Sequence, residues 1–232
     1  MLKMKKKGIL IQARLSSSRL PKKMLMNIGE YKLVEFIYNR CLLSKESDLC
    51  AIITSTDKSD DELYDFCIKK GMQVFRGSLN NVLQRYIDAS IFYELDVVCR
   101  VCGDSPFVDI EYIDEMFLEL NDSMLNYVGF NKDTIVHGLD SEVFEVKILK
   151  NLLNEDLSDD DFEHVTFYIK NNLEKYKYKN IVSIFSLDEV KNVRFTVDYK
   201  KDLEICRSYY QKYLKSINFK RSDIISALKR KN

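Results

Sequence analysis

Over the first 120 or so residues, short apolar runs alternate with stretches whose apolar residues recur every three or four positions. Gly8 to Gln12, Leu49 to Thr54, Met72 to Phe75 and Leu95 to Val101 read as strands. Between them, Leu33, Val34, Ile37, Cys41 and Leu42 fall at helical spacing within Tyr31 to Ser44. Ser59 to Lys70 opens with a capping pattern, Ser59 followed by Glu62, and stops at Gly71. Leu79 to Tyr93 is a further helix, with Val82, Leu83, Tyr86 and Ile87 on one face. Strands alternating with helices through short connections predict an α/β fold, a mostly parallel sheet flanked by helices. Ligands in such sheets lie beyond the carboxyl ends of the strands. That directs attention to Gln12 to Lys23, Thr54 to Asp57 and Gly103 to Asp109.

After about residue 122 the pattern changes. Met124 to Phe130, Thr134 to His137, Glu142 to Phe144 and Val193 to Val197 read as short strands. Asp159 to Asn172 and Lys200 to Lys215 read as helices, and the tail KRSDIISALKRKN as a terminal helix. The tyrosine-rich YKYKN at 176 to 180 reads as surface. With no internal repeat and no linker, the expectation is one domain with a small additional β-containing lobe.

Composition narrows the function classes. Lysine plus arginine and aspartate plus glutamate both total 36 in 232 residues, so the net charge is zero. Such a balance argues against nucleic acid as a partner. No apolar run approaches the roughly 20 residues of a membrane span, and the one near the N-terminus is too short for a signal peptide. A cytoplasmic protein without membrane insertion is expected, its six cysteines reduced. Cys99 and Cys102 form a C-x-x-C, but residues three apart on a strand face opposite ways, and only two histidines accompany them. Packed thiols are the better reading.

Three stretches carry chemistry. QARLSSSRLPKK, following the first strand, gathers Arg14, Arg19, Lys22 and Lys23 with Ser16, Ser17 and Ser18. Guanidinium forks, ammonium groups and hydroxyls in one loop suit a polyphosphate, although no P-loop or dinucleotide fingerprint is present. RVCGDSPFVD places Asp104 at a strand's carboxyl end after Gly103, expected to allow a tight turn. RFTVDYKKDLE places Asp198 likewise. Two aspartates and a cationic loop at three strand ends would make a metal–triphosphate site of the kind nucleotidyl transfer needs.

IQARLSSSRLPKKML, FRGSLNNVLQRY, RVCGDSPFVD, EHVTFYI and RFTVDYKKDLE occur in that order over residues 8 to about 207. Together they resemble the cytidylyltransferases that make CMP-activated sugar acids, in particular the spore-coat-polysaccharide type akin to the Kdo and acylneuraminate enzymes. The resemblance implies a nucleotide-diphospho-sugar-transferase-like fold, with a nucleotide half at about 1–121 and a sugar-side half at about 122–232. It implies CMP transfer from CTP to a sugar acid with Mg²⁺ as cofactor, and a homodimer. By the same resemblance Arg14, Lys23 and Asp104 would be catalytic. Gln12, Ala13, Arg14, Ser17, Ser18, Arg19, Lys23, Arg76 and Arg100 would surround the nucleotide, and Asp104 and Asp198 the metal. His137, Asp140, Glu142, Glu163, His164 and Thr166 would face the sugar. The general base is open between metal activation of the hydroxyl and His137, the second candidate.

The family pattern commonly has glycine where Ser16 and Lys22 stand, and a side chain at either place would crowd the phosphates. FRGSLNNVLQRY divides: Arg76 is placed to reach a ligand, whereas Asn81 and Arg85 fix the loop. Rival readings are transfer to a sugar phosphate or other phosphorylated alcohol, a glycosyltransferase of related topology, and a degenerate homologue. A glycosyltransferase would be expected to show Asp-x-Asp after a strand. The two candidates, DKSDD at 57 to 61 and DLSDDD at 156 to 161, read as a helix start and a cap.

Overall fold

In the computed structural model, which describes residues 5–122, 124–131, 134–185, 191 and 193–231, the predicted strands assemble around β1 (Lys7–Gln12). β4 (Leu49–Ser55) and β6 (Val97–Cys102) flank it in parallel, and β5 (Val74–Gly77) pairs with β4. β8 (Glu142–Glu145) then joins β6 antiparallel, followed by β7 (Tyr127–Phe130) and β9 (Tyr178–Ile181). The seven-stranded order is β5-β4-β1-β6-β8-β7-β9. β7 to β9 therefore extend the main sheet. The additional β element is a two-stranded antiparallel ribbon, β2 (Asn27–Ile28) with β3 (Tyr31–Lys32).

Alternation along the strands separates two cores. Ile9, Ile11, Ile52, Cys99 and Val101 face one side, packed under α1 (Leu33–Cys41), α2 (Asp61–Lys69), α4 (Ile110–Asp122), α8 (Lys200–Tyr209) and α9 (Arg221–Lys231). Leu10, Ala51, Ile53 and Val98 face the other, under α3 (Val82–Phe92), α5 (Val146–Leu152) and α7 (Phe167–Asn171). The six cysteines are free thiols, and burial raises the Cys99 thiol well above its ordinary value.

Several boundaries differ from expectation. Tyr31 and Lys32 belong to the β2–β3 ribbon, so α1 starts at Leu33. Ser59 does not cap α2; Asp57 accepts from Ser59 N–H at 2.9 Å and starts a turn of 3₁₀ helix before it. The stretch 159–172 breaks into α6 (Asp159–Glu163) and α7, because Val165 sits at φ 47°. Thr134 to His137 and Val193 to Val197 contribute a single parallel bridge, His137 to Arg194. The polar stretch at 176–180 runs into β9, an edge strand. Among the described residues no helix is long and apolar enough to cross a membrane.

Candidate active site

The parallel register sets Gln12 at the end of β1 beside Cys102 at the end of β6. Gly103 N–H donates to the Gln12 carbonyl at 2.9 Å. A Cβ on Gly103 would lie 2.6 Å from that same oxygen, so glycine is needed for close approach rather than for a turn of positive φ.

From Gln12 the chain enters the cationic loop. Buried Leu15 and Leu20 pin it to the core, leaving Ser16 and Ser18 exposed. Leu15 N–H donates at 2.6 Å to the fully buried Asp60 carboxylate, which also accepts from the Ser55 hydroxyl. Lys22 closes the loop at φ 56°, ψ 24°, a conformation costing a non-glycine residue about 1–2 kcal/mol. That is why glycine suits position 22. The Lys22 ammonium turns out to Glu62 at 2.6 Å and does not line the cavity below.

The loop's other cations meet carboxylates from distant segments. Lys23, nearly buried, donates to the Val197 carbonyl at 2.8 Å and lies 3.3 Å from Asp104 Oδ2 and 3.7 Å from Asp198 Oδ1. Arg19 donates to Asp198 Oδ1 at 2.7 Å, and Arg194 pairs with Asp198 Oδ2. The Asp202 carboxylate fixes Asp198 at the start of α8 by accepting its N–H at 3.1 Å. Arg14 donates to Glu163 at 2.8 Å. Arg14, Arg19, Lys23, Asp104, Glu163 and Asp198 line a cavity of about 330 Å³ at the carboxyl end of the sheet.

A second cavity of about 460 Å³ opens on the far side of Glu142, the first residue of β8. Glu142 sits opposite Arg100 in the β6–β8 register. Arg100 donates to Gln12 Oε1 and to Glu142 Oε2, each at 3.2 Å. Thr166 and Tyr127 hydroxyls donate to Glu142 at 2.6 and 3.1 Å, and Lys170 pairs with it. Burial opposes ionisation of Glu142, but Lys170 and Arg100 outweigh it and hold the carboxyl down at about 2. The Arg100 guanidinium is held charged despite its own burial.

The first cavity brings together Gln12, Ala13, Arg14, Ser17, Ser18, Arg19, Lys23, Arg100, Asp104, Glu163, His164 and Asp198. His137, Asp140 and Glu142 line the second. Thr166 lines neither and supports Glu142 from behind. Arg76 is not brought to either cavity. Its guanidinium donates to the Ser55 and Asp57 carbonyls at 2.7 and 3.0 Å and to Asp61 at 2.7 Å, bracing the β4–α2 connection. Arg85 fixes the loop before α3 through the Ser78 and Leu79 carbonyls, and Asn81 caps that helix. Sequence reasoning missed Asp60, Arg194 and Lys170. Only Arg194 carried a signal, because it opens the RFTVD motif.

A model of the cytidylyltransferase family matches residues 8–223. The chain belongs to the cytidylyltransferase family. The matched span takes in the cationic loop, both strand-end aspartates and the second cavity, so this cytidylyltransferase has its cavities inside the family's common part. The spore coat polysaccharide biosynthesis protein SpsF of Bacillus subtilis is 32% identical over 226 residues, 95% of this chain and 93% of that protein. A 3-deoxy-manno-octulosonate cytidylyltransferase of Fusobacterium nucleatum is 25% identical over 199 residues, 84% and 76% of the two chains. The solved structure of a cytidylyltransferase from Leptospira borgpetersenii superposes with a TM-score of 0.90 at 31% identity, covering 98% of this chain and 95% of that one.

Proposed function

We infer that this cytidylyltransferase transfers CMP from CTP to a sugar acid and releases pyrophosphate, in the synthesis of a surface polysaccharide or other glycan. The observation that carries the reading is that Arg14, Arg19 and Lys23 line one cavity with Asp104 and Asp198 at the strand ends, beside a second cavity. The names of the SpsF and 3-deoxy-manno-octulosonate relatives support it.

In this reading an acceptor hydroxyl attacks the α-phosphorus, its proton passing to His137 or to solvent, and the bond from that phosphorus to the bridging oxygen of the β-phosphate breaks. Arg14, Arg19 and Lys23 stabilise the negative charge on the departing pyrophosphate. Arg100, fixed by Gln12 and Glu142, holds the wall between nucleotide and acceptor. His137 is the nitrogen base lining the acceptor cavity.

Among the described residues no three His, Cys, Asp or Glu side chains converge as a protein-only metal site. Asp104 and Asp198 both approach Lys23, at 3.3 and 3.7 Å, so they face one place that suits Mg²⁺, commonly held by one or two carboxylates together with substrate phosphates, once Arg19 and Arg194 turn from Asp198 to the phosphates. Bound there, it would neutralise phosphate charge and orient the α-phosphate.

A homodimer and a cytoplasmic setting belong to the same reading. The free thiols support the second. Tyr178, Val182 and Ile184, exposed along and after the edge strand β9, are apolar side chains a partner would cover; light scattering tests the first.

Calorimetric titration with CTP, UTP, GTP and ATP in Mg²⁺, followed by pyrophosphate release with sugar acids, tests the function. CTP-selective binding that weakens in Asp104→Asn is expected. Binding of no triphosphate, or equal binding indifferent to the substitution, would sink the reading.

A further inference from the structure

The acceptor cavity has an uneven distribution of charge. Among the described residues that line it, Lys170 is the sole lysine or arginine, against Asp140 and Glu142. Both carboxylates are engaged. Asp140 accepts from Gly138 N–H at 3.0 Å, and Glu142 has Arg100, Thr166, Tyr127 and Lys170 around it.

Those four partners of Glu142 are not equivalent. Thr166 and Tyr127 are buried, and the Arg100 side chain is 13% exposed, whereas that of Lys170 is 48% exposed. Without Lys170, Glu142 keeps a guanidinium and two hydroxyl donors, so no buried charge is stranded. Lysine carries a compact charge on a flexible four-carbon stem, which suits a partner exchange that a fixed guanidinium fork does not.

The geometry points to Lys170 as the receptor for the acceptor's carboxylate: its ammonium leaves Glu142 and pairs with the incoming sugar acid. This rests on the sugar-acid reading above and adds the residue that separates acids from neutral sugars. A single cation facing Asp140 and Glu142 suits a monoanion better than the dianion of a sugar phosphate. Asn131 and Asn180, bonded to each other at 2.5 Å on the cavity wall, offer amide groups to sugar hydroxyls.

The test is pyrophosphate release from CTP and Mg²⁺ with eight- and nine-carbon 3-deoxy-2-keto sugar acids, each beside its carboxamide. Because Lys170 is half exposed, the lower end of the cost of losing a charge partner applies, an expected preference of about 30-fold in kcat/KM for acid over amide in the wild type. In Lys170→Met that preference collapses to within about threefold, mainly through KM for the acid, and Lys170→Arg restores at least about tenfold of it. CTP affinity, read by calorimetry, stays within about twofold in both variants, which separates this effect from a folding defect. If Lys170→Met keeps the preference, or slows acid and amide equally, the assignment to Lys170 is wrong while the sugar-acid reading stands. If the wild type binds CTP but turns over none of the acids, the sugar-acid reading fails and takes the assignment with it.

Discussion

Replacing Glu142 by glutamine tests the charge network between the two cavities. The wild-type carboxyl is held at about 2, against an ordinary value of 4.5. At 1.36 kcal/mol per unit, that depression corresponds to about 3 kcal/mol of stability at neutral pH. Because the folded-state value lies below the unfolded one, the contribution is fully present above pH 4.5 and is lost as pH falls towards 2. By pH 3 less than half should remain. Glu142→Gln removes the titrating group and leaves Arg100 with Gln12 as its side-chain acceptor. Chemical denaturation of both proteins at a series of pH values from 7 to 3 gives the stability gap directly, and groups common to both chains cancel from the difference. The gap should be at least about 3 kcal/mol at pH 7 and narrow by about 2 kcal/mol between pH 6 and pH 3. A gap constant across that range, or one below about 1 kcal/mol at pH 7, would refute the coupling of Glu142 to Arg100 and Lys170.

Other substitutions separate the loop's parts. Asp104→Asn should lower turnover by about 100-fold or more while leaving denaturation nearly unchanged, since Asp104 is partly exposed and Lys23 keeps the Val197 carbonyl. Gly103→Ala forces a Cβ against the Gln12 carbonyl and Met24, and should cost about 1–3 kcal/mol together with a loss of CTP affinity seen by calorimetry. Lys22→Gly relieves a left-handed lysine at the expense of unfolded-state entropy, for a net gain of up to about 1 kcal/mol in thermal unfolding. Its CTP affinity should be unchanged, because the Lys22 side chain points to Glu62.

The central strands were legible because β1, β4 and β6 are buried on both faces and so read as unbroken apolar runs. The chemistry at their ends followed from the rule that loops at carboxyl ends meet ligands, which is why the Gln12 to Lys23 loop and Asp104 could be placed together. β9 was hidden: a four-residue edge strand, Tyr-Lys-Asn-Ile, shows no apolar alternation. The two-residue strands of the β2–β3 ribbon are too short for any periodicity. Arg76 misled because the expected strand stopped at Phe75 and left it in a loop, whereas it belongs to β5 and two backbone carbonyls and Asp61 hold it. Lys170 was invisible in sequence because its partner Glu142 belongs to another element and meets it only through the sheet order.

The cationic loop has a kinetic consequence. Arg14 meets Glu163 across 149 positions of chain, Lys23 meets the Val197 carbonyl across 174, and Arg19 meets Asp198 across 179. Contacts of such long range form late, after the loop-closure entropy has been met by other pairings. A nascent chain that has exposed β1 to β6 already contains every cation of the loop, with Glu62 for Lys22, yet lacks Glu163, Val197 and Asp198, which hold Arg14, Lys23 and Arg19. The phosphate site therefore comes into being only when the 194–198 segment docks. The same polar latch, made of few contacts, is where the native protein should open first in hydrogen exchange.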